Sequence, residues 1–146
     1  MLQDSADFVD KSLQTYDEKS LGPLAICLKT SPDQVIGTIH IRQGTHQFEG
    51  ELAYALSEEH WRQGIVSEAV QRILQVGFEE RGLRRIFARC AVENNPSKNF
   101  LRSLGFSYEG CLRKRSFNKG RFWDVEFYSL LFEEWKNLSS SSSLTA

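Results

Sequence analysis

The chain has 146 residues, 40% hydrophobic and 25% charged, and a formal net charge of −1 from 18 basic and 19 acidic side chains. That is one domain's length with enough apolar residues for a core, and the even charge excludes a general attraction to nucleic acid or to a membrane surface. Cys27, Cys90 and Cys111 lie far apart with no C-x-x-C pair, which excludes a disulfide framework and a zinc site, so no metal is expected. No stretch approaches the ~20 apolar residues of a membrane span. No signal-peptide pattern opens the chain, and a cytoplasmic location is the expectation.

In chain order, Met1 to Lys19 reads as a helix, with Phe8, Val9, Leu13 and Tyr16 at helical spacing. Gly22-Pro23 breaks it. Leu24 to Leu28, Val35 to Arg42 and Phe48 to Leu56 then read as three strands of an antiparallel meander, with Gly37 as a candidate bulge. Trp61 to Ala69 follows as a turn feeding a long amphipathic helix, whose Val70, Ile73, Leu74, Val76, Gly77 and Phe78 form the buried face. Gly82 ends that helix. Arg85 to Val92 is a fourth strand, and a strand–helix–strand crossover makes it parallel to the third. Asn94-Asn95-Pro96-Ser97 opens a second crossover helix that Gly105 closes. Phe106 to Phe117 and Phe122 to Phe132 form a long hairpin around Asn118-Lys119-Gly120. Residues 1–136 are expected to form a single domain. Residues 137–146, with their serine run, are expected to be a disordered tail.

The turn before the first crossover helix carries chemistry. A helix start leaves backbone N–H groups without intrahelical partners, at the positive end of the macrodipole. Such an end accepts phosphate, and Gly64 allows close approach while Arg62 adds positive charge. An ordinary helix start, with Ser67 and Glu68 as capping residues, is an equal reading. A P-loop is excluded, because no G-K-[ST] follows Gly64.

The stretch around Gly64 resembles the acetyl-CoA motif of the GNAT superfamily of N-acetyltransferases, written Q/R-x-x-G-x-G/A. Glu93-Asn94-Asn95-Pro96-Ser97, Leu104-Gly105-Phe106, Glu109-Gly110, and Asp124 four residues before Tyr128 are more specific. Together, over about Leu2 to Phe132, they resemble the branch of ribosomal-protein alanine and serine N-acetyltransferases (RimJ/RimL-like). The resemblance implies an α+β GNAT fold: a mixed, mostly antiparallel twisted sheet with a parallel central pair and helices on both faces. Family members usually carry a strand and a helix before the helix expected here. The first strand and part of the acceptor wall are therefore expected to be absent, through a shortened reading frame or with a neighbouring chain covering the edge. A homodimer is left open.

The resemblance also implies an activity: an acetyl group passes from acetyl-CoA to a primary amine, a protein N-terminal α-amine first, by direct attack in a ternary complex. Pantetheine would bond the backbone of Ala53, Tyr54, Ala55 and Leu56. The pyrophosphate would sit on Arg62, Gln63, Gly64, Ile65, Val66 and Ser67, with Asn94 on the pantetheine arm and Asn99 near the adenosine phosphates. Arg62 stands where the branch commonly has glycine, and Val66 where it has glycine or alanine. Ser97 would give a proton to the departing thiolate. Ser116 stands where the ribosomal-protein enzymes can carry a glutamate base, which leaves Glu51, Glu109 and Asp124 as candidates, Asp124 with an equal claim to fixing the hairpin. The basic residues Arg113, Lys114, Arg115, Lys119 and Arg121 read first as a solvated hairpin tip and second as an attraction for acidic substrates. A polyamine or aminoglycoside acceptor, or a non-catalytic CoA-binding module, are the alternatives.

Overall fold

A computed structural model describes the backbone of residues 6–9 and 20–145 and the side chains of 20–139. The chain divides into two compact units, Met1–Leu83 and Arg84–Ala146.

In the first unit, strands β1 (Ala6–Val9), β2 (Leu21–Leu28), β3 (Gly37–Gln43) and β4 (Glu49–Leu56) run antiparallel, each to the next. The meander expected from sequence is therefore present. The helical reading of the N-terminus is corrected over Ala6–Val9, which pairs with Ala25 to Leu28. The ladder offered by β2 outweighs the helical spacing there, in a segment whose Phe8 and Val9 favour strands intrinsically. The rest of that helix, including Leu13 and Tyr16, lies outside the described residues. The ladder slips between Leu21 and Leu24, not at Gly37.

Alternation sets the inner face of β3, where Ile39 and Ile41 are buried while Thr38 and Arg42 are exposed. Helix α1 (Ile65–Gln75) packs over β1 and β3. Its buried Ile65, Ala69, Val70, Ile73 and Leu74 recur at helical spacing. Each large aliphatic side chain so buried contributes roughly 1.5–3 kcal/mol relative to exposure. The helix continues as a π-helical stretch, Val76–Glu80, and ends at Gly82 with φ 72°.

In the second unit, β7 (Arg121–Leu131) lies between β5 (Arg85–Ala91) and β6 (Ser107–Asn118), antiparallel to both. Asn118 pairs with Arg121 across the two-residue turn Lys119-Gly120, where both residues have positive φ. That is a type I′ hairpin, and its backbone twist suits the strands it joins. Helix α2 (Asn95–Ser103) connects β5 to β6 and buries Leu101. The tail expected to be disordered is instead the continuation of helix α3 (Phe132–Thr145). Phe132, Trp135 and Leu138 recur every three residues along it. Leu138 sits close beside Gly105, while remaining exposed.

Candidate functional site

The turn from Leu56 to Gly64 is held by its own side chains. The Trp61 indole donates to the Leu56 carbonyl at 2.8 Å, Gln63 donates to the Glu59 carbonyl at 3.3 Å, and Ser57 Oγ lies 2.7 Å from His60 Nδ1. A 3-10 turn, Glu58–His60, fills the middle. Arg62 has φ 64° and Gly64 φ 78°, so both adopt the left-handed conformation that favours glycine. Gly64 then stands at the N-cap of α1 with no side chain capping it, and the first intrahelical bond runs from Glu68 N–H to the Gly64 carbonyl. The amides of Ile65, Val66 and Ser67 precede that bond. Ser67 is not the cap: its Oγ accepts from Gln71 at 3.3 Å. An uncapped helix end behind a left-handed turn fits a phosphate group. Ala53 to Leu56 pair with β3 on one edge, Leu56 facing Gly37 and Ala53 facing His40. Glu51 is buried, and its carboxylate accepts from Arg42 at 3.2 Å.

The second unit gathers a separate group. Asn94 caps α2, its Oδ1 accepting the Ser97 N–H at 3.2 Å, with Pro96 in the first turn. Ser97 is half-buried and hydrogen-bonded to the Cys90 thiol of β5. Burial pushes the Cys90 thiol up and the Glu126 charge adds to this, with the Ser97 hydrogen bond and the Lys98 charge opposing. Cys90 therefore stays a neutral thiol at ordinary pH. The Lys98 Nζ donates to the Val92 carbonyl at 3.1 Å and lies 3.5 Å from Glu126. Glu126 also accepts from the buried Tyr128 hydroxyl at 2.7 Å. Asn99 is exposed.

Asp124 is spent on backbone. Its Oδ1 accepts the Lys114 N–H at 2.7 Å, where the β6–β7 ladder breaks between Leu112 and Ser116 and Lys114 takes φ 52°. Glu109 is held by Arg85 through two bonds of 2.7 Å and by the Ser129 hydroxyl at 2.7 Å. Beside the break, a cleft of about 470 Å³ is lined by Arg89, Cys90 and Ala91 of β5 and by Arg115, Ser116, Asn118, Lys119, Trp123 and Val125 of the hairpin. Cys90 thus joins the cleft to Ser97. Sequence reasoning gave no site role to Arg89, Cys90 or Glu126, whose neighbours come from other elements and leave no spacing to read. Among the described residues no group of His, Cys, Asp and Glu is arranged to hold a metal ion, and no helix is long and apolar enough to cross a membrane.

Residues 2–107 match the family described as the acetyltransferase (GNAT) domain. The chain belongs to the GNAT acetyltransferase family. An uncharacterized N-acetyltransferase p20 of Bacillus licheniformis is 41% identical to this GNAT chain over 104 residues, 70% of the chain and 58% of the relative. The ribosomal-protein-serine acetyltransferase of Escherichia coli is 32% identical over 102 residues, 69% of the chain and 57% of the relative. The chain therefore spans less than two thirds of either relative. The structure of Mycobacterium smegmatis RimJ in complex with CoA-disulfide superposes with TM-score 0.73 at 25% identity, covering 85% of this chain and 61% of that one. The α+β GNAT fold and the RimJ/RimL-like branch expected from the sequence motifs are those of these proteins. Arg62, where the branch commonly has glycine, is at a backbone position that glycine suits best.

Proposed function

We propose that this chain catalyses transfer of an acetyl group from acetyl-CoA to a primary amine, with a protein N-terminal α-amine as the acceptor. The observation that carries the reading is the place of Ser97 in the first turn of α2, within hydrogen-bonding reach of Cys90, which lines the cleft. Acetyl-CoA supplies a thioester whose carbonyl carbon the neutral amine attacks, so that the C–N bond forms and the C–S bond breaks. In the first unit its phosphates fit the amides of Gly64 to Ser67 with Gln63 and Arg62 alongside, and its pantetheine arm fits the backbone of Ala53 to Leu56. In the second unit Asn94 is the residue left to the pantetheine arm. Asn99, exposed on α2, is left to the adenosine end.

Ser97 gives its proton to the departing sulfur and takes back the proton that the attacking nitrogen releases, and the sulfur's alkyl-thiol pKa of roughly 8.5 already makes it a fair leaving group. No dedicated base is needed. Asp124 and Glu51 are engaged with Lys114 and Arg42. An α-amine with a pKa near 7.7–8.0 is partly neutral at physiological pH, roughly a few hundred times the neutral fraction of a lysine with a pKa of about 10.4. Proximity then supplies much of the rate.

The test is thiol release from acetyl-CoA with N-terminal peptides, spermidine and an aminoglycoside as acceptors. Turnover is expected with the peptides, and Ser97→Ala should lower kcat by about tenfold with little change in KM. CoA binding without thiol release for any amine would favour a non-catalytic CoA-binding module instead.

A further inference from the structure

Between Gly110 and Trp123 the chain carries five cations and no carboxylate, and the fold sorts them. Arg113 and Lys114 stay outside the cleft. Arg121 pairs with Glu93 at 2.8 Å and stacks 3.7 Å over the Trp123 ring. Arg115 and Lys119 line the cleft with Arg89 from β5, and every charged side chain in that lining is cationic. The wall that presents them is fixed in place. The Asp124 carboxylate pins the ladder break one residue before Arg115, and the Trp123 indole donates to the Asn118 carbonyl at 3.0 Å, one residue before Lys119. Lys114 holds φ 52° at the break, a conformation kept by the bond to Asp124.

We infer that this cleft selects acceptors by charge, docking a polypeptide N-terminus followed closely by Asp or Glu and rejecting polyamines and basic peptides. The inference rests on the acetyl-transfer reading for its biological sense, though the docking itself does not. Carboxylates two to four residues behind the α-amine meet Arg89, Arg115 and Lys119, while Ser116 and Asn118 offer hydrogen bonds to an extended backbone. A polyamine brings ammonium groups to the same three cations, and like charge at close range is what excludes a wrong partner.

The test compares three fluorescent peptides with the same first residue and with Asp, Gln or Lys at positions two to four, read by anisotropy and in parallel by thiol release. The Asp peptide should bind about tenfold tighter than the Gln peptide and the Lys peptide weakest. The preference should shrink to about twofold in the Arg115→Gln, Lys119→Gln double variant, and also in about 1 M salt, where the Debye length is about 3 Å. Arg113→Gln, which removes a charge outside the cleft, should leave it unchanged. Equal binding of the Asp and Gln peptides overturns the inference. So does a double variant that weakens acetyl-CoA binding and spares the peptide preference, because the cations then serve the cofactor's phosphates. Selective binding without thiol release would sink the transfer reading and leave the docking intact. Thiol release indifferent to peptide charge would do the reverse.

Discussion

Arg62 shows how one residue can separate stability from ligand binding. Its φ of 64° costs a side-chain-bearing residue about 1–2 kcal/mol, because Cβ crowds the following carbonyl. Glycine removes that cost but adds freedom to the unfolded chain. Arg62→Gly should therefore stabilise the fold by about 0.5–1 kcal/mol in denaturant melts. Acetyl-CoA affinity should fall at the same time, since a positive charge leaves the proposed phosphate cradle. If melting rises and affinity holds, Arg62 has no part in the cradle. Val66 is the milder departure, since its amide is offered whatever its side chain.

At the scale of elements, the hairpin β6–β7 is where one carboxylate decides a shape. Asp124 bonds the Lys114 amide and so holds the break that turns Arg115 and Ser116 into the cleft. Asp124→Asn keeps the Oδ1 acceptor and should stay close to the parent in both stability and kcat. Asp124→Ala loses it, which should cost about 1 kcal/mol and weaken acceptor binding more than cofactor binding. A general base would behave otherwise, Asn being as damaging as Ala in the rate assay. The place of the hairpin turn, the start of α2 at Asn94 to Ser97 and the buried stripe of α1 were all legible, because each is set by neighbours within a few residues. The Asp124–Lys114 and Ser97–Cys90 contacts were not, since each joins residues whose proximity depends on strand pairing or helix packing.

For the whole molecule, the half-buried His40 and the buried Tyr128 bound the pH range of stability. Burial, and then the Arg42 charge, hold His40 below its ordinary 6.5 against the pull of Glu51. The folded chain binds fewer protons there than the unfolded chain, so stability is complete above about 6.5 and is lost as pH falls through the lowered value. Tyr128 is pushed from 10.0 up to about 12, by burial first and then by its bond to Glu126. The folded chain keeps that proton longer, so stability is complete below about 10 and is lost as pH rises toward 12. Denaturant midpoints should fall at both ends of a range from about pH 5 to 11. His40→Gln should flatten the acid limb and Tyr128→Phe the alkaline one. A limb that keeps its slope removes that residue from the account.

The sequence by itself determined the family and the order of the elements from β2 to β7. The N-x-x-S helix start, the L-G-F close, the E-G strand and the glycine turn are local patterns with fixed spacing, and residues 2–107 match the GNAT domain. Tertiary structure alone decided that Ala6–Val9 is a strand, because a segment with two plausible periodicities follows whichever partner it can pair with. It also placed Lys98 against Glu126, set the Ser97 hydroxyl on Cys90, and chose Arg115 and Lys119 out of a uniformly basic run to face Arg89. Those choices depend on which faces of different strands and helices meet, and residue order along one chain does not carry that.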